Sequence, residues 1–173
     1  MGKVLVAGAS GNFGAAAAAA FAGAGWEVKA YQRGTDMTAA ALGCDVIVNA
    51  LNPPMYHDWA RLIPAITTEV LAAARASGAT VIVPGNVYVY GREPGPWGAD
   101  TPHRPCSRKG AIRAEMEARY KASGLPVIVL RGGDFIDAGS AGTFLNMVTL
   151  KGLEKGKLQV AGDPLVHESG CLP

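Results

Sequence analysis

The residues best placed to do chemistry lie in the run Gly8-Ala9-Ser10-Gly11-Asn12-Phe13-Gly14. A glycine run of this kind can hold an anion when a strand delivers the chain to it and a helix leads the chain away. Both conditions are expected here. Lys3–Ala7 is a short, mostly apolar run of strand length, and Ala15–Ala24 is alanine-rich with high helix propensity. Gly8 would let the chain leave the strand in a tight turn, and Gly11 would let the backbone approach a pyrophosphate. Gly14 would let the helix close on the sheet. The amides at the helix start and the positive end of its dipole would supply the anion site.

A second strand is expected over Trp26–Tyr31, with Gln32 and Arg33 at its tip. In a dinucleotide fold, an acidic residue at this tip binds the adenine ribose hydroxyls, whereas an arginine accommodates a 2′-phosphate. The tip lacks an acidic residue and carries Arg33, which favours NADP, with NAD as the alternative cofactor. A solvated loop charge is the competing explanation for Arg33. The next segment, Gly34–Cys44, has room for one short helix, started by Thr35 or Asp36 and ended by Gly43. Asp45–Leu51 reads as a buried parallel strand stopped by Asn52-Pro53-Pro54, and a long helix follows over roughly Asp58–Ser77. His57 and Asp58 do not form an acid–base pair on this reading, because adjacent helix positions face different ways.

The glycines fall as G-x-x-G-x-x-G rather than G-x-G-x-x-G. That spacing resembles the extended and atypical short-chain dehydrogenase/reductase superfamily, which includes NAD-dependent epimerases and dehydratases. The resemblance runs over nearly the whole chain and carries several expectations. Asn49, Ala50 and Leu51 would pass beside the cofactor's nicotinamide ribose. The helix, third strand and acidic turn that the superfamily places between its second and fourth strands are represented here only by 34–44. The second strand should therefore become the sheet edge, and the adenine pocket should lose part of its wall.

Thr80–Pro84 is the next strand, followed by Gly85-Asn86-Val87-Tyr88-Val89-Tyr90-Gly91. The superfamily pattern here is Ser-Ser-x-x-Val-Tyr-Gly. Tyr90 matches its tyrosine, and Asn86 takes the position of the catalytic serine. Asparagine can still orient a carbonyl through hydrogen bonds. After a Gly- and Pro-rich loop, Arg92–Pro105, a helix is expected over Ser107–Ala122. Active members carry Tyr-x-x-x-Lys at its start, the tyrosine as acid and base and the lysine lowering its pKa and holding the ribose. Lys109 takes the lysine position, which places Pro105 where the tyrosine would stand. A register set by Glu115 would instead put Ala111 at the lysine position. The tyrosine is missing in both registers, and substitution by Tyr88, Tyr90 or Ser107 competes with a packing role for these side chains. Val127–Phe135 reads as another buried strand with a polar end.

Composition narrows the remaining choices. The chain has 173 residues, about half of them apolar, with a net charge of +2 from scattered basic residues. This suits one domain with a substantial core and offers no nucleic-acid face or membrane patch. No leader and no apolar run of spanning length is visible. Cys44, Cys106 and Cys171 are odd in number and read as free thiols, which leads to a cytoplasmic expectation. The three histidines are scattered and form no metal-ligand set.

The expected architecture is an α/β, doubly wound, mostly parallel Rossmann-type sheet without the third strand, in the order 2-1-4-5-6 in superfamily labels. Residues 1–173 would form a single NAD(P)-binding domain, with 135–173 the remnant of a substrate region. A short helix at Asn146–Leu150 and a strand at Leu158–Val160 are expected there. The implied function is NAD(P) binding in the manner of epimerases and dehydratases, with little oxidoreductase activity because the tyrosine is absent. The alternative is a non-catalytic dinucleotide-sensing or protein-interaction module. Expected partners are the dinucleotide, a small-molecule substrate and a second copy in a homodimer, without nucleic acid or membrane.

Overall fold

The computed structural model describes residues 1–53, 57–133 and 149–158. Five parallel strands form one sheet: β1 (Lys3–Ala7), β2 (Glu27–Ala30), β3 (Val46–Asn49), β4 (Thr80–Gly85) and β5 (Val127–Arg131). Their order is β2-β1-β3-β4-β5, which is the expected order once the missing strand's label is skipped. The helices are α1 (Asn12–Gly23), α2 (Met37–Ala41), α3 (Trp59–Ser77) and α4 (Arg108–Lys121).

The alternation of the strands divides the core into two layers. Leu5, Ala7, Ile47, Val81 and Val83 face α3 and α4 with Met37, Ile63, Val70 and Met116. Val4, Val6, Val46 and Val48 face the other way, toward Phe13, Ala17, Ala18 and Phe21 of α1 and the Trp26 ring. The central strands β1 and β3 are covered on both faces, so their sequences are almost continuously apolar.

Helix boundaries follow their caps. Asp36 accepts from the amides of Thr38 and Ala39 at the start of α2, and Ser107 accepts from Gly110 at the start of α4. Gly78 ends α3 in the left-handed conformation, at φ 74°. Between β2 and β3 the only regular element is α2, so β2 is the sheet edge as expected.

Two expectations are corrected. The strand β5 is not buried throughout, because Ile128 and Leu130 are 51% and 54% exposed on the face that α1 does not reach. Cys44 is a free thiol, its pKa raised by burial, but Cys106 is disulfide-bonded. No helix among the described residues is long and apolar enough to cross a membrane. Most of the helix expected at Asn146–Leu150, of the strand at Leu158–Val160 and of the proposed remnant 135–173 lies outside the described residues.

Candidate functional site

The glycine turn joins β1 to α1, and its three glycines differ in what the fold asks of them. Gly8 has φ 88°, and a Cβ there would meet the carbonyl oxygen of Ala50 at 2.7 Å. A Cβ on Gly14 would meet the carbonyl oxygen of Gly8, a backbone atom with no room to move. Both positions need glycine for the chain's own packing. Gly11 does not: its φ is −86°, and a Cβ there would make only an ordinary contact of 3.5 Å with the Gly8 oxygen. Ser10, Gly11 and Asn12 are exposed, and no side chain caps the N-terminus of α1. The space beside Gly11 is therefore kept clear on the solvent side, where a pyrophosphate would approach. This is the arrangement a dinucleotide requires.

A cleft of about 670 Å³ opens between the segment 31–38 and α3, past the ends of β2 and β3, and no residue of the glycine turn lines it. Arg33, Thr35 and Met37 line one side, and Leu51, Pro53 and Ile66 line the other. Its volume is within the range of cofactor sites, and its position matches the rule that open parallel sheets bind ligands beyond the carboxyl ends of their strands. Arg33 is exposed in the rim, and Leu51 forms part of the wall. Ala50 lies against the glycine turn. The side chain of Asn49 is used differently: its Nδ2 donates to the Tyr120 hydroxyl at 3.0 Å, and its Oδ1 accepts from the Leu51 amide at 3.3 Å. Asn49 is thus a buried tie between β3 and α4 that shapes the bend leading into the cleft. Burial raises the pKa of Tyr120, opposed by its hydrogen bonds to Asn49 and Thr67.

The second half of the candidate site lies beyond β4 and β5. Asn86 begins a 3₁₀ turn, Val87–Tyr90, by accepting from the Tyr88 amide at 3.2 Å. Its carbonyl oxygen accepts from Arg131 Nη1 at 2.6 Å. Tyr90 is buried, stacks on Trp97 at 5.2 Å between ring centroids and meets the His103 ring edge-on. The Arg131 guanidinium lies 5.0 Å from the Tyr90 ring centroid. That guanidinium also forms two bonds to Glu117, one of them 3.0 Å, and His103 Nε2 stands 3.5 Å from the same carboxylate. The residues placed here as catalytic candidates are therefore held in an aromatic and ionic cluster. Asp58 pairs with Arg61 one turn on, not with His57.

Lys109 is exposed on the first turn of α4, next to Gly110. A Cβ on Gly110 would meet the Tyr88 carbonyl oxygen at 2.6 Å, so glycine lets α4 approach the 3₁₀ turn closely. The buried face of α4 carries Gly110, Arg113, Met116, Glu117 and Tyr120, and it does not include Glu115. A register anchored on the buried Glu117 moves the lysine position to Arg113 and the tyrosine position to Lys109. Sequence reasoning passed over Arg113, whose guanidinium lies 5.1 Å from the centroid of the Trp59 ring. The signal available was its place one turn before Glu117 on the same helix face.

No family model matches the chain, and no curated protein does. Solved structures do match. A variant of UDP-glucuronic acid 4-epimerase from Bacillus cereus, in complex with UDP-4-deoxy-4-fluoro-glucuronic acid and NAD, superposes with a TM-score of 0.76 at 17% identity, over 93% of this chain and 66% of the epimerase. A dTDP-4-dehydrorhamnose reductase from Clostridium acetobutylicum gives 0.72 at 20% identity, over 89% of this chain and 60% of the reductase. A short-chain dehydrogenase/reductase superfamily protein from Agrobacterium tumefaciens with bound NAD gives 0.66 at 22% identity, over 84% and 54%. The chain has the Rossmann-type fold of these proteins. It spans between half and two-thirds of their length.

Proposed function

We propose that this chain binds a nicotinamide dinucleotide, NADP(H) in preference to NAD(H), across the C-terminal ends of β1, β2 and β3. The observation that carries the reading is Gly11, a glycine whose backbone and surroundings would accept a side chain but which leaves the approach to the α1 amides clear. The fold shared with NAD-bound epimerases and reductases supports the same reading, and Arg33 at the rim of the cleft supports the preference for a 2′-phosphate. Gly11→Leu is the direct test. The variant should fold like the parent by circular dichroism and lose NADPH binding in a fluorescence titration. Unchanged NADPH affinity would overturn the role given to the turn.

The chemistry supported best is slow or absent hydride transfer. Asn86 and Tyr90 have structural duties, and none of the three registers of α4 places a tyrosine at the acid position. Lys109 is left with a role at the ribose. A second reading, a non-catalytic dinucleotide-sensing or interaction module, draws support from the exposed pair Ile128 and Leu130 on β5. A homodimer belongs to the same proposal and rests on sequence alone, whereas the disulfide at Cys106 removes part of the free-thiol argument for a cytoplasmic location.

A further inference from the structure

Among the described residues the outer edge of β2 is open. The strand pairs there only with β1, in parallel register, and bonds to it through alternate residues. The Glu27 amide donates to the Gly2 carbonyl oxygen and the Tyr31 amide to the Val6 carbonyl oxygen, both at 2.9 Å. In a parallel strand the amide and carbonyl of one residue point to the same side, so those of Val28 and Ala30 point away from β1. No backbone group among the described residues pairs with them. The next element, α2, lies against α3 and adds no strand.

The side chains along this edge carry charges of opposite sign two residues apart. Glu27 and Lys29 lie on the same face of the sheet, and both are exposed. Each keeps capacity for a further partner. Glu27 meets Lys3 through Oε1 at 2.9 Å, which leaves Oε2 as an acceptor. Lys29 uses one of its three ammonium donors for the Ala40 carbonyl oxygen, at 2.8 Å. Charge on an edge strand commonly keeps other strands away. Charges of one sign would repel a second copy of this chain, whereas alternating signs exclude some registers and favour one.

We infer that two copies of this chain associate through β2, edge to edge and antiparallel, about a two-fold axis at Val28. In that register the two Val28 residues exchange amide-to-carbonyl bonds. Each Ala30 amide meets the Trp26 carbonyl oxygen of the other copy, which points outward by the same alternation. Glu27 of each copy stands opposite Lys29 of the other, at the positions without hydrogen bonds, where facing side chains come closest. Centring the axis on Lys29 would satisfy the same edge but set the two Lys29 ammonium groups against each other. The contact is isologous and closes as a dimer with one continuous sheet. Its 4 strand residues a side fall short of the roughly 20–30 in a standard interface, so the dimer is weak and concentration-dependent. None of this depends on the dinucleotide reading.

Sedimentation velocity over a concentration series reaching the millimolar range tests the inference. The parent chain should pass from monomer to dimer. Lys29→Glu and Glu27→Lys should each weaken self-association by about tenfold or more, because each turns both cross-strand attractions into repulsions. Mixing the two variants should restore association, since every facing pair is again opposite in sign. A chain carrying both substitutions should associate with itself as the parent does. Both residues are exposed, so circular dichroism should show the parent fold in every variant. A parent chain that stays monomeric throughout would overturn the inference and leave the edge to a strand of some other protein. A dimer indifferent to the single substitutions, or variants that fail to associate when mixed, would overturn it as well.

Discussion

The two ends of the sheet put similar sequence signals to different uses. On the β2-β1-β3 side, the turn residues Ser10–Asn12 face solvent, Gly11 keeps the approach clear, and a cleft of about 670 Å³ lies between the segment 31–38 and α3. On the β4-β5 side, Asn86, Tyr90, Glu117 and Arg131 turn toward one another and close the space between α4, β5 and the loop that carries Trp97 and His103. One end leaves space open and the other closes on itself. Resemblance to a motif therefore meant different things in the two places. A glycine run works through the side chains it omits, whereas a catalytic motif needs its functional groups pointed outward.

The largest effect that could break this contrast is turnover. Hydride transfer to a carbonyl needs a proton for the developing alkoxide, and a positioned general acid contributes about 10²–10⁴-fold. The Tyr90 hydroxyl lies 3.5 Å from the Gly98 carbonyl oxygen, and the Asn86 side chain is occupied by the Tyr88 amide. NADPH should bind without appreciable oxidation on sugar-nucleotide or simple carbonyl substrates. Multiple-turnover oxidation abolished by Lys109→Ala would place an acid at the start of α4 and end the contrast.

The next effect concerns the ionic cluster. Glu117 is 5% exposed and Arg131 holds both its oxygens, so Arg131→Met strands a buried carboxylate. Breaking a buried pair costs about 3–5 kcal/mol, and the lower end applies because the Arg131 side chain keeps 22% exposure. Urea denaturation should show a loss of about 3 kcal/mol. A loss below about 1 kcal/mol, the range of exposed pairs, would mean that this end is less consolidated than its geometry indicates.

At the opposite end, Arg33→Ala should weaken NADPH by about tenfold or more while leaving NADH nearly unchanged, the effect of one charge-assisted hydrogen bond. Parallel titrations of the two cofactors decide it. An equal loss for both would remove the 2′-phosphate from the account.

The sequence made much of the fold legible, because strand, glycine turn and helix each leave a local mark. Apolar runs gave the strands, and Asp36, Ser107 and Gly78 marked helix ends through hydrogen bonds and φ values that depend on a few neighbours. Gly11 was legible for the same reason. The role of Asn49 was not, because its partner Tyr120 lies 71 residues away and only the folded sheet brings them together. The exposure of Ile128 and Leu130 was also hidden. Periodicity cannot tell a strand buried on both faces from one whose second face lacks a covering helix. The inward face of α4 was hidden similarly, since two glutamates two residues apart are equivalent until the helix shows that Glu117 and not Glu115 faces inward.

The smallest effect tests the tie between the two ends. Tyr120 stands on the last turns of α4, and its hydroxyl meets Asn49 at the end of β3, beside the residues that lead into the cleft. Tyr120→Phe keeps the ring and removes the hydroxyl, which should cost about 1 kcal/mol as Asn49 Nδ2 loses its acceptor. The change should also alter the pH profile. Burial raises the pKa of Tyr120 above the ordinary tyrosine value of 10.0, so the unfolded tyrosine gives up its proton at lower pH than the folded one. Its contribution to stability is complete below pH 10.0 and declines as pH rises toward the folded-state pKa. The parent chain should therefore lose stability above that pH more steeply than Tyr120→Phe, as read from urea midpoints at matched pH. NADPH affinity near neutral pH should be the same in both proteins if Asn49 only shapes the bend and the backbone holds it there. A drop in affinity with little loss of stability would show that the tie positions the cleft, and the separation between the two ends would have to be redrawn through Asn49.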